Sequence, residues 1–425
     1  MSQSWGTLGS PRVPSTIPPS RLSSRPSPLV VSGPVDFVQK RAAAFVRTPS
    51  FTQFFRQLSE LEHERISRLW DCVGGLARRD PDSREEAEML VRAMPDEDDG
   101  HGAGTLRTFA EALLTRLQSA PSGGGNLYLD ARPPGAQLRA FELLRLRTPL
   151  IAFAYAACNR ALMDAIGDPT DVTLIDVGIG RAGQIVALLR HPNTKRLVKS
   201  LHVVGVEPDS SADTGMGALE ISERNVIEAG ERAGIPVTFA GIARRAELLT
   251  ADDLRSANLQ GKVVANAAFC LHHVGTDPRR ERVSVLRVLR EVGAAAVVLV
   301  EPNSDHTVED LETRFLFAYR HYRTVSKSLD ASLSPTDSAL VWAEFFAPEV
   351  RNIIGCDGAA RTERHEESAR WIEHLSAAGW TPDPLPDLIP QAAAPPGFST
   401  TRRDGVFSLA FDDVDLLSVL RGIRD

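Results

Sequence analysis

The sequence predicts an α/β fold: a mostly parallel sheet with crossover helices, ending in a late antiparallel hairpin and carrying an α-helical cap. Three observations lead there. Up to about residue 166 the apolar residues recur at helical spacing. From residue 172 short apolar runs alternate with amphipathic helical stretches, and the last two apolar runs follow one another with no helix between them.

The elements follow in order. Residues 1 to about 35 are rich in Ser, Pro and Arg, as in Pro18-Pro19-Ser20-Arg21, and offer too little apolar surface to bury, so a disordered tail is expected. Phe51, Phe54, Phe55, Leu58 and Leu61, then Leu69, Val73 and Leu76, and later Leu106, Phe109, Leu113, Leu114 and Leu117 mark helices of a cap over 36–147. Breaks are expected at Pro95 to Gly104 and Pro121 to Gly125. The core is expected over 148–425. It opens with an almost wholly apolar helix, Leu150 to Ile166, started by Thr148-Pro149 and stopped by Gly167. Such a helix must be covered on most sides.

Strands are predicted at 172–177, 201–206, 237–240, 263–267 and 294–300, and helices at 183–190, 216–233 and 279–291 between them. The amphipathic stretch from about 306 to 346 is too long for a crossover and reads as an insertion joining the cap. Glu363 to Ala378 reads as a helix, and strands near 380–385 and 405–411 form the hairpin.

Composition narrows the function. The chain has 425 residues, a formal net charge of -7 and a pI near 5.9, so it lacks the global basic field of a non-specific nucleic-acid binder. Cys72, Cys158, Cys270 and Cys356 are far apart and form no C-x-x-C pair, so neither a zinc knuckle nor a disulfide framework is predicted. No apolar run approaches the roughly 20 residues of a membrane helix, and no apolar segment follows the first charges. A soluble cytoplasmic protein is therefore expected.

The chemistry sits in Leu174-Ile175-Asp176-Val177-Gly178-Ile179-Gly180-Arg181-Ala182-Gly183, which ends a strand, turns through glycines and opens a helix. Glycines there let a ligand approach the backbone, and the helix start offers unpaired N–H groups, the signature of a Rossmann-like dinucleotide or adenosyl site. Glu207 ends the next strand, where a carboxylate can accept both ribose hydroxyls; the competing reading is a surface acid. An acid before the first glycine, Asp176, matches class I methyltransferases more than nicotinamide enzymes, and S-adenosylmethionine is the cofactor expected at Asp176, Gly178, Gly180, Gly183, Glu207 and Asn266. A segment Val263 to Val274 carries Asn266, His272 and His273 to the sheet's carboxyl edge. Either histidine is a candidate general base, against a reading in which one caps a helix and the other packs. Glu301, ending the next strand, and Asn159 are candidate acceptor contacts. No metal site is expected: Glu363, Arg364, His365, Glu366 and Glu367 could suggest metal ligands, but successive helical residues point in different directions and a solvated helix start is favoured; Arg279, Arg280 and Arg282 could form a phosphate patch but read as an exposed helix face.

Over roughly residues 50 to 425 the chain resembles the GRAS family, and in particular its bacterial type. The residues that carry the resemblance are Val172-Thr173-Leu174-Ile175-Asp176 with Gly180 and Gly183-Gln184; Asn266 to His273; Glu301 and Asn303 with Arg314 to Tyr322; and Asn352 to Glu366 with Trp371 and Ala378-Gly379-Trp380. The resemblance implies a helical cap on a methyltransferase-like core. Plant members are transcription regulators, whereas bacterial relatives are proposed to methylate small molecules. Gly178 with Gly180, and Glu207, depart from the plant pattern toward a working cofactor site. The expected function is accordingly methyl transfer from S-adenosylmethionine to a small-molecule acceptor. The alternative is a non-catalytic regulator that binds a protein partner or a small-molecule signal; a homodimer is compatible with either.

Overall fold

The computed structural model describes residues 49–77, 82–94, 102–117, 134–208, 217–275, 277–385 and 395–424. The expected tail at 1–35 and the break at 121–125 lie outside them, as does most of the break at 95–104.

Six helices come first: α1 (Pro49–Arg56), α2 (Glu60–Ala77), α3 (Asp82–Ala93), α4 (Ala103–Leu117), α5 (Pro134–Arg147) and α6 (Pro149–Ile166). Helix α6 starts where Thr148 Oγ1 accepts the Leu150 N–H at 3.3 Å, with Pro149 in the first turn, and Gly167 stops it at φ +70°. Then β1 (Thr170–Val177), α7 (Gly183–Arg190), β2 (Val198–Glu207), α8 (Ala218–Ala233), β3 (Val237–Ala243), α9 (Ala251–Ser256), β4 (Lys262–Ala268), α10 (Pro278–Glu291) and β5 (Ala296–Pro302) alternate. The predicted insertion consists of α11 (Leu311–Asp330), α12 (Pro335–Val341), a π-helical turn (Trp342–Phe346) and α13 (Ala347–Gly355). Helix α14 (Ser368–Ala377) and the strands β6 (Thr381–Pro382), β7 (Phe398–Arg403), β8 (Val406–Phe411) and β9 (Val414–Ile423) complete the described chain.

The sheet runs β3-β2-β1-β4-β5-β9-β8-β7, with β6 pairing β9 off this path. Strands β1 to β5 are parallel, and β9 returns antiparallel to β5. The expected hairpin of 380–385 with 405–411 does not form: β8 pairs with β7 and β9, two strands the sequence reading did not include, and β6 pairs with β9. In β9 only Asp415 and Ile423 are less than buried, so the strand is covered on both faces and lacks the polar alternation that marks a half-exposed strand. The strand expected at 380–385 shrinks to two residues.

One face of the sheet carries α6, α7 and α8, and above α6 the N-terminal and insertion helices interleave. Phe315 of α11 lies edge-on to Phe109 of α4 at 5.3 Å and to Trp70 of α2 at 5.9 Å. Buried Glu62 of α2 accepts from Arg323 Nε at 2.9 Å and from the Tyr319 hydroxyl. Burying Phe315 and Phe109 completely contributes roughly 1.5–3 kcal/mol each. The other face carries α9, α10 and α14 through Leu254, Leu286, Leu289, Trp371 and Leu375. Among the described residues no helix is long and apolar enough to cross a membrane.

Candidate functional site

The carboxyl ends of β1, β2, β4 and β5 bring the predicted site residues to one edge. The turn after β1 passes through Gly178 at φ +75° and Gly180 at φ +53° before Ala182 caps α7 at φ +57°. A Cβ on Gly178 would lie 2.4 Å from Cys270 Cβ, so the glycine is required by the close approach of the loop after β4. At Gly180 nothing lies within 4 Å of an added Cβ, and only the backbone conformation demands glycine. Gly183 opens α7 beneath Tyr155, whose hydroxyl would stand 3.0 Å from an added Cβ. The Gly180 N–H donates to Glu207 Oε2 at 3.0 Å, and Ser222 Oγ donates to the Gly180 carbonyl at 2.6 Å. Burial raises the Glu207 carboxyl above its ordinary range.

Behind the turn, Asp176 and Asn266 are register partners on β1 and β4. Asn266 Nδ2 donates to Asp176 Oδ1 at 2.7 Å, and the amides of Asn266 and Gln184 bond reciprocally at 3.0 and 3.2 Å. Asn159 Nδ2 donates to the Gln184 carbonyl at 3.1 Å. Burial pushes the Asp176 carboxyl up to about 7 against the bond from Asn266, with Glu207 adding to the rise.

The loop after β4 holds Phe269 at φ +56°, an uncommon conformation for a bulky side chain, then turns through Leu271–His273. His272 is buried. Its Nδ1 bonds Glu301 Oε2, and Glu301 Oε1 accepts the Leu271 N–H at 2.8 Å. Burial holds the His272 imidazole far below its usual pKa, hence neutral, and pushes the Glu301 carboxyl up to about 7. His272 Nε2 faces Glu363 Oε2 at 3.5 Å, and His273 Nδ1 faces Glu363 Oε1 at 3.2 Å. His365 Nε2 is also 3.5 Å from Glu363 Oε2, while its Nδ1 meets His306 Nδ1 at 3.0 Å.

This arrangement corrects two sequence expectations. Residues 363–367 do not begin a helix, which starts only at Ser368; they run extended through the interior, with Glu363, Arg364, His365 and Glu366 all buried. Helical phase was the wrong guide because the segment is pinned by non-local partners. The Arg364 N–H donates to the His272 carbonyl at 3.2 Å, and the His306 N–H donates to the His365 carbonyl at 2.9 Å. Nor is Arg282 on an exposed face. It is fully buried, donating to Glu366 at 2.5 Å, to the Leu271 and His272 carbonyls at 2.9 and 3.0 Å, and to the Arg364 carbonyl at 2.5 Å. Arg279 and Arg280 on the same helix remain exposed.

A model of the GRAS domain family matches residues 80–394. The chain belongs to that family. Among curated relatives of this GRAS chain, Scarecrow-like protein 5 of Arabidopsis thaliana is 28% identical over 291 residues, covering 66% of this chain and 48% of the relative. Scarecrow-like transcription factor PAT1 of the same plant is 27% identical over 299 residues, covering 66% and 58%. The GRAS chain spans about half the length of these relatives. The crystal structure of SCL7 in Oryza sativa superposes with a TM-score of 0.71 at 22% identity, covering 84% of this chain and 99% of that one. The α/β fold with its largely parallel sheet is therefore shared with a solved GRAS structure.

Within this GRAS domain the structure brings all ten predicted site residues to one end of the sheet, in two groups: Asp176, Gly178, Gly180, Gly183, Glu207, Asn266 and Asn159 around the glycine turn, and His272, His273 and Glu301 beyond it. Sequence reasoning does not name His306 in the second group, and it sets Glu363, His365 and Arg282 aside as solvated helix faces. One signal was available: six of the ten histidines fall between positions 272 and 374.

Proposed function

We propose that this GRAS domain is a non-catalytic regulator that binds a protein partner or a small-molecule signal at the carboxyl edge of its sheet. One observation carries this reading. Three of the four residues expected to serve an acceptor are committed inward, His272 to Glu301, Asn159 to the backbone of α7, and Glu301 to Leu271 and His272, as is Asn266, expected at the cofactor, to Asp176 and Gln184; the fourth, His273, faces Glu363. A base for methyl transfer needs a lone pair aimed at an acceptor proton, whereas the described Nε2 of His272 is aimed at a carboxylate. A relative whose name calls it a transcription factor agrees with this reading.

A second reading is favoured by the pairing of Gly180 with Glu207: a class I methyltransferase-like core, of the bacterial GRAS type, under a cap of helices 36–147 joined by the insertion. Glu207 spends Oε2 on Gly180, and Oε1 carries no hydrogen bond among the described residues, so the carboxylate fits a ribose hydroxyl of S-adenosylmethionine. Asp176 fits the methionyl amino group less well, since it is buried and bonded to Asn266. The cofactor, when bound, would supply an electrophilic methyl group; Gly180 and Glu207 would only orient it.

Calorimetric titration with S-adenosylmethionine and S-adenosylhomocysteine, using Glu207→Ala as control, separates the two. No binding, or binding without methyl transfer to any acceptor, supports the regulator. Micromolar binding lost in the variant, together with turnover of a small-molecule acceptor, replaces it with the enzyme.

A further inference from the structure

We propose that His272, His273 and Glu363 form a binding site for a divalent transition-metal ion of the zinc class, with His365 as a fourth donor, at the junction of the β4 loop and the extended segment 363–367. The inference is independent of whether the glycine turn binds an adenosyl ligand.

Donor identity comes first. His272, His273 and Glu363 bring one ligand atom each within 4.8 Å of one another. Two imidazoles and one carboxylate are the protein ligands of several catalytic zinc centres and of non-haem iron sites. Distances come second. Ligands bound at 2.0–2.1 Å in tetrahedral geometry stand about 3.3 Å apart. The three imidazole nitrogens lie 3.2, 3.5 and 3.5 Å from the Glu363 oxygens.

The imidazole nitrogens that face Glu363 are not aligned with it as hydrogen-bond donors. Glu363 is fully buried, yet neither carboxylate oxygen has an aligned hydrogen-bond donor among the described residues, and the same holds for His365 Nε2. Leaving a buried carboxylate unsatisfied is among the costliest things a fold can do. On His272, Glu301 as acceptor assigns the ring proton to Nδ1 and leaves the Nε2 lone pair pointing at the Glu363 carboxylate. Two acceptors then face each other, an arrangement a cation between them would turn from repulsive to attractive. Glu301 takes the place of the outer carboxylate that orients metal-binding histidines and fixes their tautomer, and His306 holds the far nitrogen of His365 in the same manner. His273, with a quarter of its side chain exposed, gives the ion a way in.

The rival reading is a metal-free network in which a protonated His273 neutralises Glu363. The two are told apart by titrating the full chain, stripped with chelator, with Co2+ and then Zn2+, following the visible ligand-field bands, with far-UV circular dichroism of each apo variant as a check on folding. One Co2+ per chain, displaced by Zn2+, is expected. Glu363→Gln and His273→Asn should each lower affinity more than a hundredfold, and Glu301→Gln 10–100-fold, the range for losing an outer-shell partner. Absence of stoichiometric uptake by the wild type, or undiminished affinity in both Glu363→Gln and His273→Asn, overturns the proposal. Should Glu363→Gln fail to fold, His273→Asn at the partly exposed rim carries the test.

Discussion

The two halves of the sheet edge differ in how their polar atoms are satisfied. Around the glycine turn, Asp176, Asn266, Gln184, Glu207 and Gly180 bond one another at 2.7–3.2 Å. Past β4, both carboxylate oxygens of Glu363 and the Nε2 of His365 are equally buried and lack aligned hydrogen-bond partners among the described residues. A satisfied hydrogen-bond network rigidifies a fold, while unsatisfied buried polar atoms point to a missing component; among the described residues the glycine half leaves Asn159 Oδ1 so, and the histidine half both Glu363 oxygens, His365 Nε2 and His306 Nε2. The half most legible as a binding motif is thus the better satisfied internally.

Arg282→Ala should destabilise the fold by about 3–5 kcal/mol in denaturant unfolding, because it strands buried Glu366 without its cation and frees the Leu271 and His272 carbonyls that shape the histidine loop. A loss under 1 kcal/mol would mean that this half is as tolerant as a surface.

Gly178→Ala and Gly180→Ala should separate next. Both place alanine at positive φ, which costs roughly 1–2 kcal/mol. Only Gly178→Ala adds the collision with Cys270, so it should lose a further 1–3 kcal/mol from overpacking. Equal losses would show that the turn has room the geometry denies.

Stability should also depend on pH. An acid whose folded pKa is raised to about 7 binds its proton more tightly when folded than when unfolded. The folded state then holds more protons between about pH 4 and pH 7, so stability falls as pH rises through that window, by at most about 1.4 kcal/mol per pH unit for one group. Glu301 has the same sign. Asp176→Asn should flatten part of the slope in unfolding curves taken at pH 5 and pH 7; an unchanged slope would move its origin to Glu301 and the histidine half.

Glu207→Ala should be the mildest, changing stability by about 1 kcal/mol or less, since the carboxylate is only partly buried and makes one bond, to Gly180. A large loss would turn Glu207 from a ligand contact into a strut of the turn.

How much of this was legible beforehand follows from where each partner lies in sequence. The β1 turn, the bounds of α7 at Gly183 and Arg190, and the start and stop of α6 at Thr148 and Gly167 are written in local chemistry: capping, glycine conformations and apolar periodicity. Strand β9 was not, because burial on both faces erased its alternation.

The sequence by itself determined that short strands would alternate with helices, that a glycine turn would end the first of them with Asp176 before it and Glu207 opposite, and that the chain would carry the motifs of a GRAS domain. Only the tertiary structure decided that residues 363–367 thread the interior, that Arg282 is sealed against them, and that His272, His273 and His365 converge on Glu363, with His306 behind His365. The reason is physical. Local signals report what a residue does to its own backbone, whereas burial of a charge is set by partners 59 to 91 positions away, and no periodicity in the chain records that distance.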